Sequence, residues 1–415
     1  MNSNQFKQFS LNEPILRALS EEGYQTPTAV QEAAIPQVLA GHDLLATAQT
    51  GTGKTAAFAL PMLHLLHGRN TNRSQYIRAL ILTPTRELAL QIEASFRAYG
   101  RYLPLRTTVV LGGVPSASQI KALKKSPDIL VATPGRLLDL YGQGHVRFDR
   151  MEMLVLDEAD RMLDMGFIAD VRKIVFKLPR DRQTLFFSAT LTEEIADLAS
   201  DMLQEPVFIE ITPAASVSGN IDQRVLFVEK MNKRDLLTGI LRDGNVRRAL
   251  VFARTKHQAD RISRQLTSDG ISADAIHSNK TQGARQRALA AFDRGRIRVL
   301  VGTDIVARGI DVEGISHVIN FELPNDPENY VHRIGRTARA GATGTALSFC
   351  AADELDTLHK IEKLTRCTLT PVDDHQFHSS SIAALRARKT APPRVIPPWG
   401  RARNEKSKRA GRRAR

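Results

Sequence analysis

The chain has 415 residues, enough for two α/β domains of ordinary size and a terminal extension. Hydrophobic residues make up 42% and charged residues 25%, a balance that excludes a wholly disordered chain. The net charge of +14 points to a polyanionic partner, nucleic acid before a membrane surface.

The basic excess is concentrated at the C-terminus. Residues 381–415 hold twelve Lys/Arg and one acidic residue, so they carry +11 and leave +3 for residues 1–380. The two cysteines have neither the spacing of a metal site nor that of a disulfide framework. The N-terminus lacks an apolar signal segment, and no apolar run reaches the roughly eighteen residues that span a bilayer. We therefore expect a soluble, cytoplasmic protein.

Residues 1–40 are predicted to be helical. Leucine and isoleucine recur at helical spacing as far as Gly23, and Pro27 is placed to begin a second helix with Thr26 as its cap. Gln31 lies on this second helix. Because an amide donates and accepts hydrogen bonds at once, Gln31 is a candidate for the N6/N7 edge of adenine; the alternative is a solvated side chain.

Residues 48–55, AQTGTGKT, lie between two apolar stretches, in the order strand, loop and helix. The N–H groups of a glycine-rich loop, together with the positive end of the following helix, bind phosphate. Lys54 can reach the β- and γ-phosphates of a nucleotide, and the Thr55 hydroxyl can bind Mg²⁺. The general P-loop pattern has glycine where this chain has Ala48. The candidate nucleotide-binding residues of the loop are Thr50, Gly51, Thr52, Gly53, Lys54 and Thr55.

Four further apolar runs in the first half of the chain end in small, polar or basic residues. The runs are 79–82, 109–111, 129–132 and 185–187. Continuous apolar runs between amphipathic helices are typical of a parallel sheet that is buried on both faces. Their ends meet at one edge of the sheet and are placed to line a groove for a sugar–phosphate backbone. The groove candidates are Arg86, Gly113, Thr133 and Arg136.

An acidic sequence, Asp157-Glu158-Ala159-Asp160, follows the apolar run 153–156. Two adjacent carboxylates at the end of a buried strand repel each other unless a cation offsets them, which indicates Mg²⁺. Asp157 is the candidate for the metal and its water shell. Glu158 is the candidate for orienting and deprotonating the attacking water.

Residues 211–220 are predicted to link two lobes, because they combine proline, glycine and small residues. Strands and helices alternate again after them, but this second half has no phosphate-binding sequence of its own. It has HRIGRTAR at 332–339, where Arg336 and Arg339 are three residues apart and are expected on one helical face. Two guanidinium groups suit a transferring phosphoryl group, so the sequence predicts an ATP site between the lobes.

The second lobe is predicted to end near Pro371, and residues 372–415 to form a basic disordered tail. High charge with few apolar residues cannot offset the entropy of ordering. Such a tail contacts nucleic-acid phosphates without reading base edges. The alternative is a tail that serves only solubility.

These motifs resemble those of the DEAD-box ATP-dependent RNA helicases, and among them the compact bacterial RhlE-type group. The resemblance runs from about Phe9 to Arg339. It implies ATP and Mg²⁺ as cofactors and RNA, single-stranded or in short duplexes, as partner, with ribosome or RNA-degradation complexes as further partners. The residue roles it implies are base packing by Phe9, ribose binding by Asp311, RNA contact by Gln282, Arg285 and Thr303, and coupling of the two sites by Asp160, Ser188, Thr190 and His332.

The predicted fold is α/β, with two RecA-like parallel-sheet lobes in tandem and a disordered basic C-terminal tail. The predicted boundaries are 1–210 for the first lobe, 211–220 for the linker, 221–371 for the second lobe and 372–415 for the tail. The predicted function is RNA-stimulated ATP hydrolysis coupled to local unwinding of RNA duplexes and to remodelling of RNA–protein complexes. The catalytic candidates are Lys54, Asp157, Glu158, Arg336 and Arg339. Two alternatives stay open: an ATP-gated RNA clamp or annealing chaperone, and a DNA translocase.

Overall fold

The computed structural model describes residues 5–48, 51–68, 76–211, 220–304, 312, 314–338 and 342–390, with the backbone alone for 388–390. Within these ranges the chain forms two parallel β-sheets of seven strands each, both flanked by helices. The predicted α/β fold with two RecA-like lobes is confirmed. The exact lobe boundaries stay predictions, and residues 212–219 of the predicted linker lie outside the described residues.

The first lobe alternates strand and helix after a short helical entry. Its sheet has the order β3-β4-β2-β5-β6-β1-β7. The elements are a 3-10 helix Gln5–Phe9, α1 Glu13–Glu21, α2 Ala29–Leu39, β1 Leu44–Thr47, α3 Lys54–Gly68, β2 Ala79–Leu82, α4 Arg86–Tyr99, β3 Thr107–Val110, α5 Ser116–Leu123, β4 Ile129–Ala132, α6 Pro134–Gly142, β5 Met153–Leu156, α7 Ala159–Asp164, α8 Ile168–Val175, β6 Gln183–Ser188, α9 Glu193–Ser200 and β7 Val207–Glu210.

The second lobe repeats this arrangement with the order β10-β11-β9-β12-β13-β8-β14. Its elements are β8 Ile221–Phe227, a 3-10 helix Lys230–Asn232, α10 Lys233–Arg242, β9 Ala249–Phe252, α11 Lys256–Ser268, β10 Ala273–Ile276, α12 Gln282–Asp293, β11 Val299–Gly302, β12 His317–Asn320, α13 Pro327–Ile334, β13 Gly344–Cys350, a 3-10 helix Ala352–Glu354, α14 Leu355–Thr365, β14 Thr370–Pro371 and α15 Ser380–Thr390. Among the helices of the described ranges, none combines the length and hydropathy needed to cross a membrane.

The central strands are buried on both faces. In β2, Ala79 and Ile81 pack into one apolar cluster, whereas Leu80 and Leu82 pack into another on the opposite face. Both faces of the strand therefore exclude water, and its sequence shows no polar alternation. This burial on both faces is the reason for the continuous apolar runs that predicted a parallel sheet.

The strands that the sequence reading missed are peripheral. β10 lies at the edge of the second sheet and reads Ala-Asp-Ala-Ile, and β7 at the edge of the first reads Val-Phe-Ile-Glu. Edge strands are partly exposed and carry polar residues. The apolar run of β10 is therefore interrupted, and that of β7 is one residue shorter than those of β2, β4 and β5.

The prediction that the chain is disordered from residue 372 is wrong for residues 372–390. Helix α15 packs on the second lobe through Ile382, which is 1% exposed. Four residues on, the Arg386 guanidinium bonds to the carboxylate of Glu362 in α14 at 2.5 Å. These two side chains occupy one face of the helix, so a segment of low overall hydrophobicity still acquires a packed side. Residues 391–415 lie outside the described residues.

Candidate nucleotide and RNA site

The nucleotide motifs lie at the carboxyl ends of adjacent strands. β6 lies between β5 and β1, and all three are parallel. Asp157 directly follows β5, and its N–H donates to the Leu82 carbonyl at 2.9 Å. Ser188 ends β6, and its carbonyl accepts from the N–H of Ala48 at 3.0 Å. Sequence motifs more than one hundred residues apart thus meet at one edge of the sheet, where α/β folds bind ligands.

The loop between β1 and α3 has the curl of a phosphate cradle. Gly51 and Gly53 have φ values of 83° and 91°, in the region that only glycine adopts readily. Lys54 begins α3, and its Nζ donates to the Ala48 carbonyl across the loop at 2.9 Å. This bond holds the ammonium near the positive end of the helix. Lys54 as a whole is 6% exposed. Thr50 lies outside the described residues.

Gln31 connects α2 to this loop. Its Oε1 accepts from the N–H of Thr28 at 2.9 Å, and its Nε2 donates to the Gly53 carbonyl at 3.1 Å. The prediction that Thr26 caps the helix at Pro27 is wrong: α2 begins at Ala29 with Thr28 as its N-cap, because Gln31 completes the cap three residues later. The amide keeps a second N–H and a second lone pair. Contact with adenine through these groups stays a prediction.

Space around the loop is limited. A Cβ at Gly53 would lie 2.4 Å from Gln31 Nε2, so the glycine permits the close approach of α2 as well as the positive φ. Phe9, predicted to pack on the base, is 9% exposed and makes an edge contact with Phe6 at 6.1 Å between ring centroids. Its ring already belongs to the core beneath α1 and α2.

The pKa values of the two adjacent acids, Asp157 and Glu158, are shifted in opposite directions. Burial raises the pKa of Asp157 to about 7, against the attraction of Lys54. Burial also opposes ionisation of Glu158, but the charges of Arg161, Lys54 and Arg336 outweigh it and lower the pKa of Glu158 to about 2. Glu158 therefore has its counter-charges, whereas Asp157 is a carboxylate short of positive charge.

The residues at this position fit a magnesium ion. Within the described residues, Asp157 Oδ1 is buried and has no hydrogen-bond partner. A hard divalent cation bound there would supply the missing charge, with the Thr55 hydroxyl as a second oxygen donor. The described residues hold no cluster of three His, Cys, Asp or Glu side chains suited to a metal.

The second lobe brings a cation to the same place. The expectation that Arg336 projects from a helix is wrong: α13 ends at Ile334, and Arg336 follows in a turn. The turn is fixed by an Nε bond from Arg336 to the His332 carbonyl at 3.2 Å, and by a left-handed Ala338. Arg336 is 2% exposed and close enough to lower the pKa of Glu158 in the first lobe. Arg339 and Asp311 lie outside the described residues.

Arg333 is a residue that sequence reasoning missed. It is fully buried, and its guanidinium makes a bidentate pair with Asp304 at 2.6 and 2.9 Å. It also lies over the ring of Phe252, 4.9 Å from the centroid. The available signal is helical spacing: Tyr330 and Ile334 are buried on the same face of α13 as Arg333. Arg333 therefore fixes α13 to the sheet rather than facing a ligand.

Predicted RNA-groove residues from both lobes meet in one buried network. Gln282 Oε1 accepts from Arg86 Nη1 at 3.3 Å, and its Nε2 donates to Glu87 Oε1 at 3.2 Å. Arg285 Nη2 donates to Glu87 Oε2 at 2.6 Å, and both side chains are less than one-tenth exposed. Glu87 was missed by sequence reasoning. A first-lobe carboxylate paired with a second-lobe guanidinium neutralises that charge and ties the lobes together.

The remaining groove candidates lie beside this network. A Cβ at Gly113, where φ is 68°, would lie 2.2 to 2.4 Å from the Arg86 guanidinium, so glycine makes room for that side chain. Arg136 donates to the Val114 carbonyl at 3.0 Å, and the Thr133 hydroxyl accepts from Gly112 at 3.4 Å. Thr303 directly follows β11 in the second lobe. RNA contact by these residues stays a prediction.

The residues assigned to coupling come from both lobes: Asp160, Ser188 and Thr190 from the first and His332 from the second. Ser188 Oγ donates to the Thr190 carbonyl at 2.7 Å. Burial raises the pKa of Asp160, against the attraction of Lys54. Thr190 and His332 line a cavity of about 230 Å³ whose walls come from both lobes. The residues that follow β6 in the first lobe therefore face α13 of the second lobe across this cavity.

Comparison with known proteins agrees with this geometry. The chain matches the DEAD/DEAH box helicase family over residues 28–198 and the helicase conserved C-terminal domain over residues 232–341. It is 41% identical to the ATP-dependent RNA helicase CshA of Limosilactobacillus reuteri, over 88% of this chain and 73% of that protein. It is 40% identical to the DEAD-box ATP-dependent RNA helicase CshA of Bacillus subtilis, over 87% and 72%.

Solved structures show the same two-lobe fold. The chain superposes with a TM-score of 0.80 on S. cerevisiae Dbp5 bound to RNA and ADP BeF3, at 30% identity over 90% of this chain and 96% of that one. It superposes with a TM-score of 0.81 on Mss116p bound to ssRNA and AMP-PNP, at 28% identity over 93% and 82%.

Two parallel-sheet lobes with a phosphate loop on one and a buried arginine on the other define a nucleotide-driven enzyme of the helicase class. The chain belongs to the DEAD-box family of ATP-dependent RNA helicases. The finer resemblance to the RhlE-type group stays a prediction, since the relatives described carry the name CshA.

Proposed function

We propose that the chain binds ATP in the cleft between its lobes and uses RNA-stimulated hydrolysis to separate short RNA duplexes and remodel RNA–protein complexes. The observation that carries the proposal is the approach of Arg336, in the second lobe, to Glu158, in the first. A catalytic set divided between two lobes is complete only when they are closed, so closure and hydrolysis are linked.

Each charged group has one role in this proposal. Lys54 binds the β- and γ-phosphates, Glu158 orients and deprotonates the attacking water, and Arg336 with Arg339 stabilises the charge on the transferring phosphoryl group. Asp157 and Thr55 would hold Mg²⁺, which neutralises phosphate charge when bound. The other proposed nucleotide contacts are Phe9, Gln31, Thr50, Gly51, Thr52, Gly53 and Asp311.

RNA is the proposed partner. Two structures that this chain resembles, Dbp5 and Mss116p, are bound to RNA, which supports the assignment. Arg86, Arg136 and the nine Lys/Arg of residues 391–415 supply charge for phosphates. We also propose a cytoplasmic location and association with ribosome or RNA-degradation complexes; the basic C-terminal residues equally suit the alternative of an RNA clamp or annealing chaperone.

The experiment is release of a labelled RNA by Glu158→Gln in the presence of ATP. Loss of the base blocks hydrolysis, while the closed cleft needs only bound nucleotide, so RNA should be retained much longer than by wild type. Glu193→Gln, an exposed change on α9, is the matched control and should behave as wild type. Wild-type hydrolysis by Glu158→Gln would remove Glu158 as the base. Annealing without duplex unwinding by the wild-type chain would favour the chaperone.

A further inference from the structure

Arg161 is a buried cation that the proposed chemistry does not yet use. It lies in the first turn of α7, three residues after Glu158, and its Nη1 donates to Glu158 Oε2 at 2.9 Å. The two side chains are 5% and 7% exposed. A charge-assisted hydrogen bond in such a dry position holds both side chains in one orientation.

The backbone of Glu158 makes this restraint important. Its φ and ψ are 55° and 54°, a left-handed conformation that non-glycine residues adopt only when their surroundings impose it. This backbone conformation, at the junction of β5 and α7, fixes the direction in which the Glu158 side chain leaves the backbone. The hydrogen bond from Arg161 then fixes the position of the carboxylate.

Arg161 also adjoins the contact between the lobes. Burial, together with the charges of Arg86 and Arg161, lowers the pKa of Arg285 against the attraction of Glu87. Arg285 belongs to α12 of the second lobe and donates to Glu87 of the first. Arg161 is therefore bonded to the carboxylate of the ATP site and within electrostatic range of Arg285 in the proposed RNA groove.

We propose that Arg161 is a positioning residue for ATP hydrolysis, which holds Glu158 through Oε2 so that Oε1 receives the proton of the attacking water. The water oxygen bonds to the γ-phosphorus, the bond from that phosphorus to the β,γ-bridging oxygen breaks, and the water proton passes to Glu158. The inference rests on the proposed role of Glu158 as the base. Because Arg161 acts on the carboxylate and not on the nucleotide, its loss should lower kcat and leave KM for ATP nearly unchanged.

The first test compares Arg161→Met, Arg161→Lys and Arg172→Met. Misplacement of a catalytic group by about 1 Å costs on the order of 100-fold, so Arg161→Met should lower RNA-stimulated kcat by about that factor with KM for ATP within about twofold. Lysine can still pair with Glu158 three residues away and should restore part of the rate. Arg172, on α8, forms an exposed ion pair with Asp201. Arg172→Met is therefore the matched control and should leave kcat unchanged. Wild-type kcat for Arg161→Met would overturn the proposal.

The second test is a double-mutant cycle with Glu158→Gln. If Arg161 acts through Glu158, adding Arg161→Met to Glu158→Gln should not lower the residual rate further. A reduction of the same size in both backgrounds would overturn the positioning role while leaving the base assignment intact. Wild-type hydrolysis by Glu158→Gln alone would instead overturn the proposed function. Melting curves check folding. If the methionine variant is unfolded, Arg161→Gln replaces it, because its side chain is polar but uncharged and shorter; wild-type kcat for a folded Arg161→Gln would then overturn the proposal.

Discussion

Replacing Ile382 by alanine should destabilise the second lobe, because α15 is packed on it. Ile382 is 1% exposed and belongs to the apolar cluster that includes Phe227, Leu358 and Ile361. Truncation of a buried isoleucine to alanine costs about 2–5 kcal/mol, and we expect the lower half of this range because a terminal helix can shift into the space. For a domain of roughly 150–250 residues, each kcal/mol lowers Tm by about 2–4 °C, so a fall of roughly 4–14 °C follows.

The assay is thermal unfolding followed by calorimetry, with the lobe transitions resolved. Leu385→Ala is the matched control, since Leu385 lies on the same helix and is 44% exposed; it should leave Tm nearly unchanged. Chains ending at 371 and at 390 extend the comparison: the first should unfold at lower temperature because it loses both Ile382 and the Arg386–Glu362 pair. Equal melting temperatures for these two chains, and for Ile382→Ala and wild type, would refute the packing of α15.

Four further outcomes are expected. Lys54→Ala should abolish most ATP hydrolysis in a variant whose folding is checked by a melting curve; near-normal turnover of the folded variant in an ATPase assay would contradict the phosphate-loop role. Gln31→Ala should reduce the preference for ATP over GTP. The preference is expected to be worth roughly 1–3 kcal/mol, because the wrong base leaves polar groups of the site unpaired, and competition kinetics between ATP and GTP measure it. Burial raises the pKa of Cys350 to about 12, so at pH 8 its thiol stays protonated and a thiol reagent should label only the half-buried Cys367 until the protein is denatured. Deleting residues 391–415 should leave RNA-independent ATPase unchanged and lower the salt slope of RNA binding by about 3, if roughly half of the nine basic residues contact phosphates; equal slopes would show that they do not.

The fold could be predicted because its central strands carry an unambiguous pattern. The runs 79–82, 129–132 and 153–156 coincide with β2, β4 and β5, since a strand buried on both faces tolerates no polar residue. The edge strand β10 and the terminal helix α15 were not predicted, because each is buried on one side only. α15 has two large apolar residues, Ile382 and Leu385, among small and basic ones, and this composition does not distinguish a packed helix from a disordered segment.

The candidate site was predicted in its residues but not in their partners. The loop and acidic motifs indicated Lys54 and Asp157 because their chemistry is local to a strand end. Glu87 and Arg333 gave no such signal, because each is defined by a charge that approaches from elsewhere: Arg285 crosses from the other lobe, and Asp304 is far along the chain. Side-chain pairing over long sequence separation depends on the fold, and a single sequence does not contain it.

The charge arrangement gives a physical reason for the cleft to respond to nucleotide. Glu158 has Arg161 beside it and Arg336 from the opposite lobe, whereas Asp157 lacks an equivalent partner and has a raised pKa. A magnesium ion brought in with ATP would give Asp157 the positive charge that Glu158 already has, and the phosphates would add negative charge beside Lys54 and Arg336. The bound ion and the phosphates would therefore reduce the cost of burying these charged side chains. Under the proposed function, loss of the γ-phosphate would remove negative charge beside Arg336, weaken the attraction between the lobes and favour their opening after hydrolysis.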